Sequence, residues 1–225
     1  MRYLIMITMV FSLLEAEDIK ILQYSGVTTT HADKEVYIHR AKHKKCYNVG
    51  VTPENIFGGD FSGAKVPQEC KRAFTISLGV EQPMHLDPKI ETLGELEVLH
   101  HIQAIDFESE SYILIDTRRK EWYRQMTIPH AVNIPKEEIA FDPDFPEDFD
   151  KSLKQLRVSK DKNGTLDFSH AKVAVLFCNG AWCTQSAKAI KLLVKMGYPK
   201  EKLKWYRGGM QDWVNMGFSV VKQKR

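Results

Sequence analysis

Residues 173–177 read Val-Ala-Val-Leu-Phe, an unbroken apolar run between Lys172 and Cys178. Apolar side chains on both alternating faces suit a strand covered from above and below, as in the middle of a parallel sheet. The run is short for a buried helix. The segment Cys178-Asn179-Gly180-Ala181-Trp182-Cys183 then separates it from a helix expected over residues 184–196. In that helix Ala187, Ile190, Leu193 and Val194 share one face, and Gly197 suits the C-terminal cap.

The alternation extends in both directions. Leu93, Leu96, Leu99 and His100 fall at helical spacing, and residues 112–115 form a short apolar strand ending in Asp116. Another strand is expected over 131–134. An acidic, proline-bearing excursion over 141–150 then leads to a helix around 151–156, and 160–165 reads as a turn cornered at Asn163-Gly164. Residues 203–206 predict a further strand and 210–216 a short last helix. Strands alternating with helices imply an α/β domain over residues 91–222, its mainly parallel sheet flanked by helices on both faces.

The N-terminal part reads differently. Arg2 precedes an apolar run over residues 3–14 and a more polar stretch at 15–18, the layout of a signal peptide, with cleavage expected near Ala16. The run is too short to span a bilayer, so no stable membrane anchor is expected after cleavage. Export, to a periplasm, would place the protein in an oxidising compartment. Residues 19–88 are rich in Gly, Thr, His and small charge clusters and read as a small irregular segment or subdomain. Cys46 and Cys70 lie there and are expected to form a structural disulfide, worth about 3 kcal/mol of unfolded-state entropy. The competing metal site, His39, His43 and Cys46, sits among Arg40, Lys42, Lys44 and Lys45, which repel a cation. No metal is expected.

Charge narrows the function classes. Lys and Arg total 32 against 29 Asp and Glu, a net +3 without a dense basic stretch, so nucleic-acid binding is not expected. Four cysteines are too few for a disulfide scaffold but enough for one bridge and one reactive centre. Cys178 is the candidate centre, because ligands of open α/β sheets bind beyond the carboxyl ends of strands, where loop amides and a helix N-terminus favour thiolate over thiol.

Four ordered segments resemble the rhodanese family: Tyr112-Ile113-Leu114-Ile115-Asp116-Thr117-Arg118 with Glu121-Trp122, Ile128-Pro129-His130-Ala131-Val132-Asn133-Ile134-Pro135, the strand end Phe177-Cys178, and Trp205-Tyr206-Arg207-Gly208-Gly209-Met210 with Trp213. The resemblance implies a five-stranded parallel sheet flanked by helices and a sulfurtransferase in which Cys178 carries a sulfane sulfur as a persulfide. It implies no cofactor. Inward amides of Asn179, Gly180, Ala181, Trp182 and Thr184 would stabilise that anion, with Gly180 supplying positive φ for the curl. Trp182 is expected to cover the loop. Asp116 and Arg118 would pair with each other or bond to the loop, and Arg207 would add positive potential at the rim.

The loop departs from the family pattern by being neutral where many relatives carry Arg or Lys. A polysulfide or protein persulfide is therefore as plausible a donor as thiosulfate, with a thiol as acceptor. Related phosphatase chemistry needs an Arg six residues after the Cys, where this chain has Thr184. Cys183 opens an alternative, a thiol-disulfide or polysulfide-reducing factor that uses both loop cysteines. A noncatalytic rhodanese-like binding module is the third reading.

Overall fold

The computed structural model describes residues 27–38 and 82–222. The signal-peptide reading of residues 1–16 and the Cys46–Cys70 disulfide lie outside the described residues. In chain order the main elements are strands β1 (Val27–His31), β2 (Lys34–Ile38) and β3 (Glu91–Leu93), helix α1 (Glu95–Phe107), β4 (Tyr112–Asp116), α2 (Lys120–Gln125), β5 (Val132–Asn133), α3 (Lys136–Ile139) and α4 (Pro146–Gln155). The small strands β6 (Ser159–Lys160) and β7 (Leu166–Asp167) precede β8 (Val173–Phe177), α5 (Gln185–Met196), β9 (Leu203–Tyr206) and α6 (Gly209–Asn215).

The central sheet has five strands in the order β3-β9-β8-β4-β5, every neighbour parallel. The expected architecture is present. β8 lies in the middle, and its pleat divides the core as its sequence requires. Ala174 and Leu176 join Ile113, Ile115 and Trp205 under Ile139, Leu153, Ile190 and Leu193 of α3, α4 and α5. On the other face Val175 and Phe177 join Leu114 and Tyr206 over Leu99, Ile102, Met210 and Trp213 of α1 and α6. Each such large apolar side chain contributes about 1.5–3 kcal/mol by leaving water.

Local chemistry sets the helix ends. The Glu97 carboxylate accepts the Gly94 N–H at 3.0 Å, starting α1 at Glu95, so that Leu93, read as part of the helical spacing, instead closes edge strand β3. Gly197 ends α5 in the left-handed region at φ 103°, donating to the Leu193 and Val194 carbonyls. Residues 146–150, read as part of an irregular excursion, are the first turns of α4, with Pro146 at its start.

Within the N-terminal segment, residues 27–38 form a regular antiparallel pair rather than irregular chain. It is fastened to the domain: Thr29 donates to Asp106 at 3.0 Å, and the His130 N–H donates to His31 Nδ1 at 3.0 Å. Among the described residues no helix is long and apolar enough to cross a membrane.

His101 is buried on α1 and donates from Nε2 to the Ile113 carbonyl at 2.9 Å, against the edge of the Tyr112 ring. Burial lowers its pKa from 6.5 to about 4. The unfolded chain therefore takes up this proton near pH 6.5 and the folded chain only near 4, so stability is full above 6.5 and falls as pH drops toward 4. The expected loss is about 3 kcal/mol, read by urea unfolding at pH 7 and pH 4. His101→Gln, which keeps an N–H donor but does not titrate, reduces the difference between the two pH values by that amount.

Candidate active site

Three strands end in register. Asp116 pairs with Phe177 and Phe177 with Tyr206, so Thr117, Cys178 and Arg207 leave the sheet along one edge. The backbone there is pinned: the Phe177 carbonyl accepts the Thr117 N–H at 3.0 Å and its hydroxyl at 2.8 Å, while the Cys178 carbonyl accepts the Met210 N–H at 2.9 Å. The Gln211 N–H then holds the Asn179 carbonyl at 2.9 Å. Gly209 makes this approach possible. Its φ is +56°, and a Cβ there would stand 2.3 Å from the Cys178 carbonyl oxygen.

Gly180 has a different role from the one expected of it. It is absent from the positive-φ residues; what it supplies is room, since a Cβ would stand 2.9 Å from Gln211 Oε1 and 3.1 Å from Trp182 Nε1. Those two atoms are hydrogen-bonded at 2.7 Å. The Gly180 carbonyl closes a turn with the Cys183 N–H at 2.9 Å. Thr184 is the residue before α5, and its carbonyl accepts the Lys188 N–H.

Both loop cysteines are reduced and buried, Cys178 at 2% exposure and Cys183 at 7%. The Cys178 thiol lies 3.3 Å from the Cys183 carbonyl and accepts from the Ser186 hydroxyl at 3.4 Å. Trp205 Nε1 donates to that hydroxyl at 3.0 Å, which fixes its rotamer. The two thiols differ in ionisation. Burial pushes Cys178 well above the ordinary thiol range, and its hydrogen bond to Cys183 pushes the same way. Cys183 is lowered to about 6, first by the neighbouring Cys178 side chain, then by backbone N–H groups of Gln185 and Asn179 and the field of Arg118, against the opposing effect of burial. Burial thus disfavours the charged form at Cys178 despite the Ser186 hydroxyl and N–H, while the N–H groups of Gln185 and Asn179 favour it at Cys183.

Asp116 and Arg118 do both things expected of them. The wholly buried Asp116 carboxylate accepts Arg118 Nε at 2.9 Å, a terminal guanidinium nitrogen at 2.7 Å and the Thr127 hydroxyl at 2.8 Å. Arg118 also reaches the Met126 carbonyl at 2.5 Å and Asn179 Oδ1 at 3.3 Å. Arg207 departs from expectation. It donates to the Gln82 and Pro83 carbonyls, and the Gln82 N–H in turn donates to the Ala181 carbonyl at 2.9 Å. These bonds hold residues 82–83 against the loop.

A cavity of about 550 Å³ opens beside the loop. Of the residues expected to bind substrate, Arg118, Asn179 and Trp182 line it; Gly180, Ala181, Thr184, Asp116 and Arg207 do not. Trp182 is therefore a wall of the cavity. Trp122, Met126, Met210, Gln211 and Val214 complete most of the lining; of these, Trp122 and Met210 stood inside recognisable segments, and the others carried no local signal. Ser186 was also unread, since a serine in the first turn of a helix looks like ordinary surface until the fold turns it toward the strand end. Among the described residues no group of His, Cys, Asp and Glu could hold a metal ion.

A rhodanese-like domain model matches residues 101–216, just over half of the chain. Among solved structures, a Bacillus halodurans protein is 25% identical, covering 53% of this chain and 72% of its own, with a TM-score of 0.37. A rhodanese with anions from E. coli is also 25% identical, covering 49% and 96% with a TM-score of 0.31. A thiosulfate sulfurtransferase from Pseudomonas aeruginosa is 19% identical over 60% of this chain and 21% of its own, with a TM-score of 0.38. No curated protein matches.

Gly209→Ala is expected to push the Cys178 carbonyl away from the Met210 N–H and to place an alanine at positive φ, costing about 2–4 kcal/mol. Urea unfolding measures the loss, and the backbone amide signals of Cys178 and Asn179 should shift in the folded fraction.

Proposed function

We propose that this chain, which belongs to the rhodanese-like domain family, is a sulfurtransferase that carries a sulfane sulfur on its Cys178–Cys183 pair and delivers it to a thiol or other nucleophilic acceptor. The observation that carries the reading is the thiol pair itself: two reduced cysteines in one loop at the end of β8, the Cys178 S–H on the Cys183 carbonyl and the Ser186 hydroxyl on the Cys178 sulfur. The Cys183 thiolate attacks the donor's outer sulfur, a new S–S bond forms, and the electron pair of the broken S–S bond leaves with the remainder of the donor. Amide donors around Cys183 hold the resulting persulfide anion. The acceptor then attacks that outer sulfur and restores the Cys183 thiolate.

A second reading places the persulfide on Cys178. It is favoured by that residue's position at the strand end and by the Ser186 hydroxyl directed at its sulfur. In that case the Cys183 thiolate first takes the Cys178 proton.

Intact-mass and peptide mapping after treatment with a sulfane-sulfur donor separates the readings. A gain of one sulfur mass that survives Cys178→Ser and disappears in Cys183→Ser is expected; the opposite pattern establishes the second reading. No adduct on either cysteine from any donor leaves a binding module, and dependence on both points to dithiol redox chemistry.

The pH dependence follows from the same pair. The reactive thiolate is lost as pH falls through about 6, so the rate of adduct formation should rise with a midpoint near 6 and level off by pH 8. Cys178→Ala removes the neighbouring side chain that does most to lower Cys183, and moves the midpoint upward. Stopped-flow rates across pH 5–9 read both effects, and a wild-type midpoint near the free-cysteine value of about 8.5 contradicts the assignment.

A further inference from the structure

Helix α2 divides two cavities. Trp122 and Gln125 line the one beside the active loop, whereas Lys120, Tyr123 and Arg124, which share the opposite helix face, line a second of about 470 Å³. Lys151 and Gln155, one turn apart, line it from α4, and Asn133 of the edge strand β5 completes its polar lining.

This second cavity is lined by three cations and no acid. Lys120 is answered by Glu138 at 2.5 Å, and the field of Asp148 adds to that pairing. The other two cations are not answered. The neighbouring ion pairs, Lys136 with Glu137 and Lys160 with Asp150, leave out Arg124 and Lys151, which have no acidic partner among the described residues. Arg124 also opposes the charge of Lys120, one turn before it. Two helices thus hold like charges against one space, an arrangement that costs free energy until an anion enters.

The neutral lining groups are already committed to backbone. Asn133 Nδ2 donates to the Asp116 and Arg118 carbonyls at 2.9 and 2.8 Å, and the Tyr123 hydroxyl donates to the Ala131 carbonyl at 3.0 Å. They fix the walls and leave recognition to the cations. A guanidinium meets a phosphate or carboxylate with two parallel N–H bonds, and an ammonium meets either as a point charge. Cavities that enclose small ligands run from about 300 to 1,000 Å³, so this one has room for more than a single oxyanion.

We propose that the cavity between α2 and α4 binds a compact polyanion, a small molecule with at least two phosphate or carboxylate groups, held between Arg124 and Lys151. The site is separate from the sulfur chemistry. No step of it uses Cys178 or Cys183, so it stands or falls independently of the sulfurtransferase reading.

The test titrates the full chain with pyrophosphate, with citrate and with acetate at one ionic strength, followed by calorimetry and backbone amide NMR. One-site, saturable binding of pyrophosphate or citrate and none of acetate is expected, with amide shifts confined to residues 120–125, 132–133 and 151–155. Arg124→Gln and Lys151→Gln should each weaken binding about fivefold and together about twentyfold. Both side chains are exposed, so the urea midpoint should not move. Lys188→Gln, at an exposed lysine of α5 outside the cavity, should bind as the parent does. Shifts spread over the whole surface, an affinity insensitive to Arg124→Gln and Lys151→Gln or equally weakened by Lys188→Gln, or no saturable binding of either polyanion overturns the site.

Discussion

The Asp116 carboxylate, with none of its surface in water, joins more of this site than any other group. It terminates β4, fixes Arg118 through a two-point ion pair, and takes the Thr127 hydroxyl from the segment that leads to β5. A buried ion pair of this kind is a poor source of net stability, because desolvating both charges offsets most of their attraction. Its value lies in position. With its fork held on Asp116, Arg118 bonds Asn179 through its other terminal nitrogen, and its charge lowers the Cys183 pKa across the loop.

That arrangement bears on how a loop without a charged side chain can hold a sulfur anion. The residues from Asn179 to Trp182 are all uncharged. The lowered pKa of Cys183 therefore draws on dipoles and one remote cation: the Cys178 side chain, two backbone N–H groups and the Arg118 field, set against burial. The second cysteine is a departure from the family pattern in the sequence, and it stands beside the first in a loop whose own side chains carry no charge.

The sheet was legible because its strands are apolar on both faces: residues 173–177, 112–116 and 203–206 appear as β8, β4 and β9. The edge strand expected over 131–134 is present as β5, but β3, with three residues, is too short to show a period, and α2 buries none of its residues and so carries no apolar stripe. At the site, the spacing of Cys178 and Cys183 and the Asp-x-Arg segment were readable, since each is local in the chain. The opposite pKa directions of the two sulfurs were not, because they turn on the burial of each and on Arg118, sixty-five positions before Cys183 in a different strand's loop. The position of Arg207 was equally hidden. Its partners, the carbonyls of Gln82 and Pro83, are backbone atoms from the other end of the domain.

Those contacts tie the segment before the sheet to the chemistry of the loop. The Ala181 carbonyl receives the Gln82 N–H, and Arg207 holds the Gln82 and Pro83 carbonyls, so one side of the loop is braced by chain that precedes β3. The other side is braced by α6 through Met210 and Gln211. A loop fixed on both sides holds its dipoles in place, and dipoles that need not reorganise are the ones that stabilise developing charge most effectively. With no lysine or arginine between Cys178 and Cys183, any anion on this loop depends on donors that the bracing on both sides already positions.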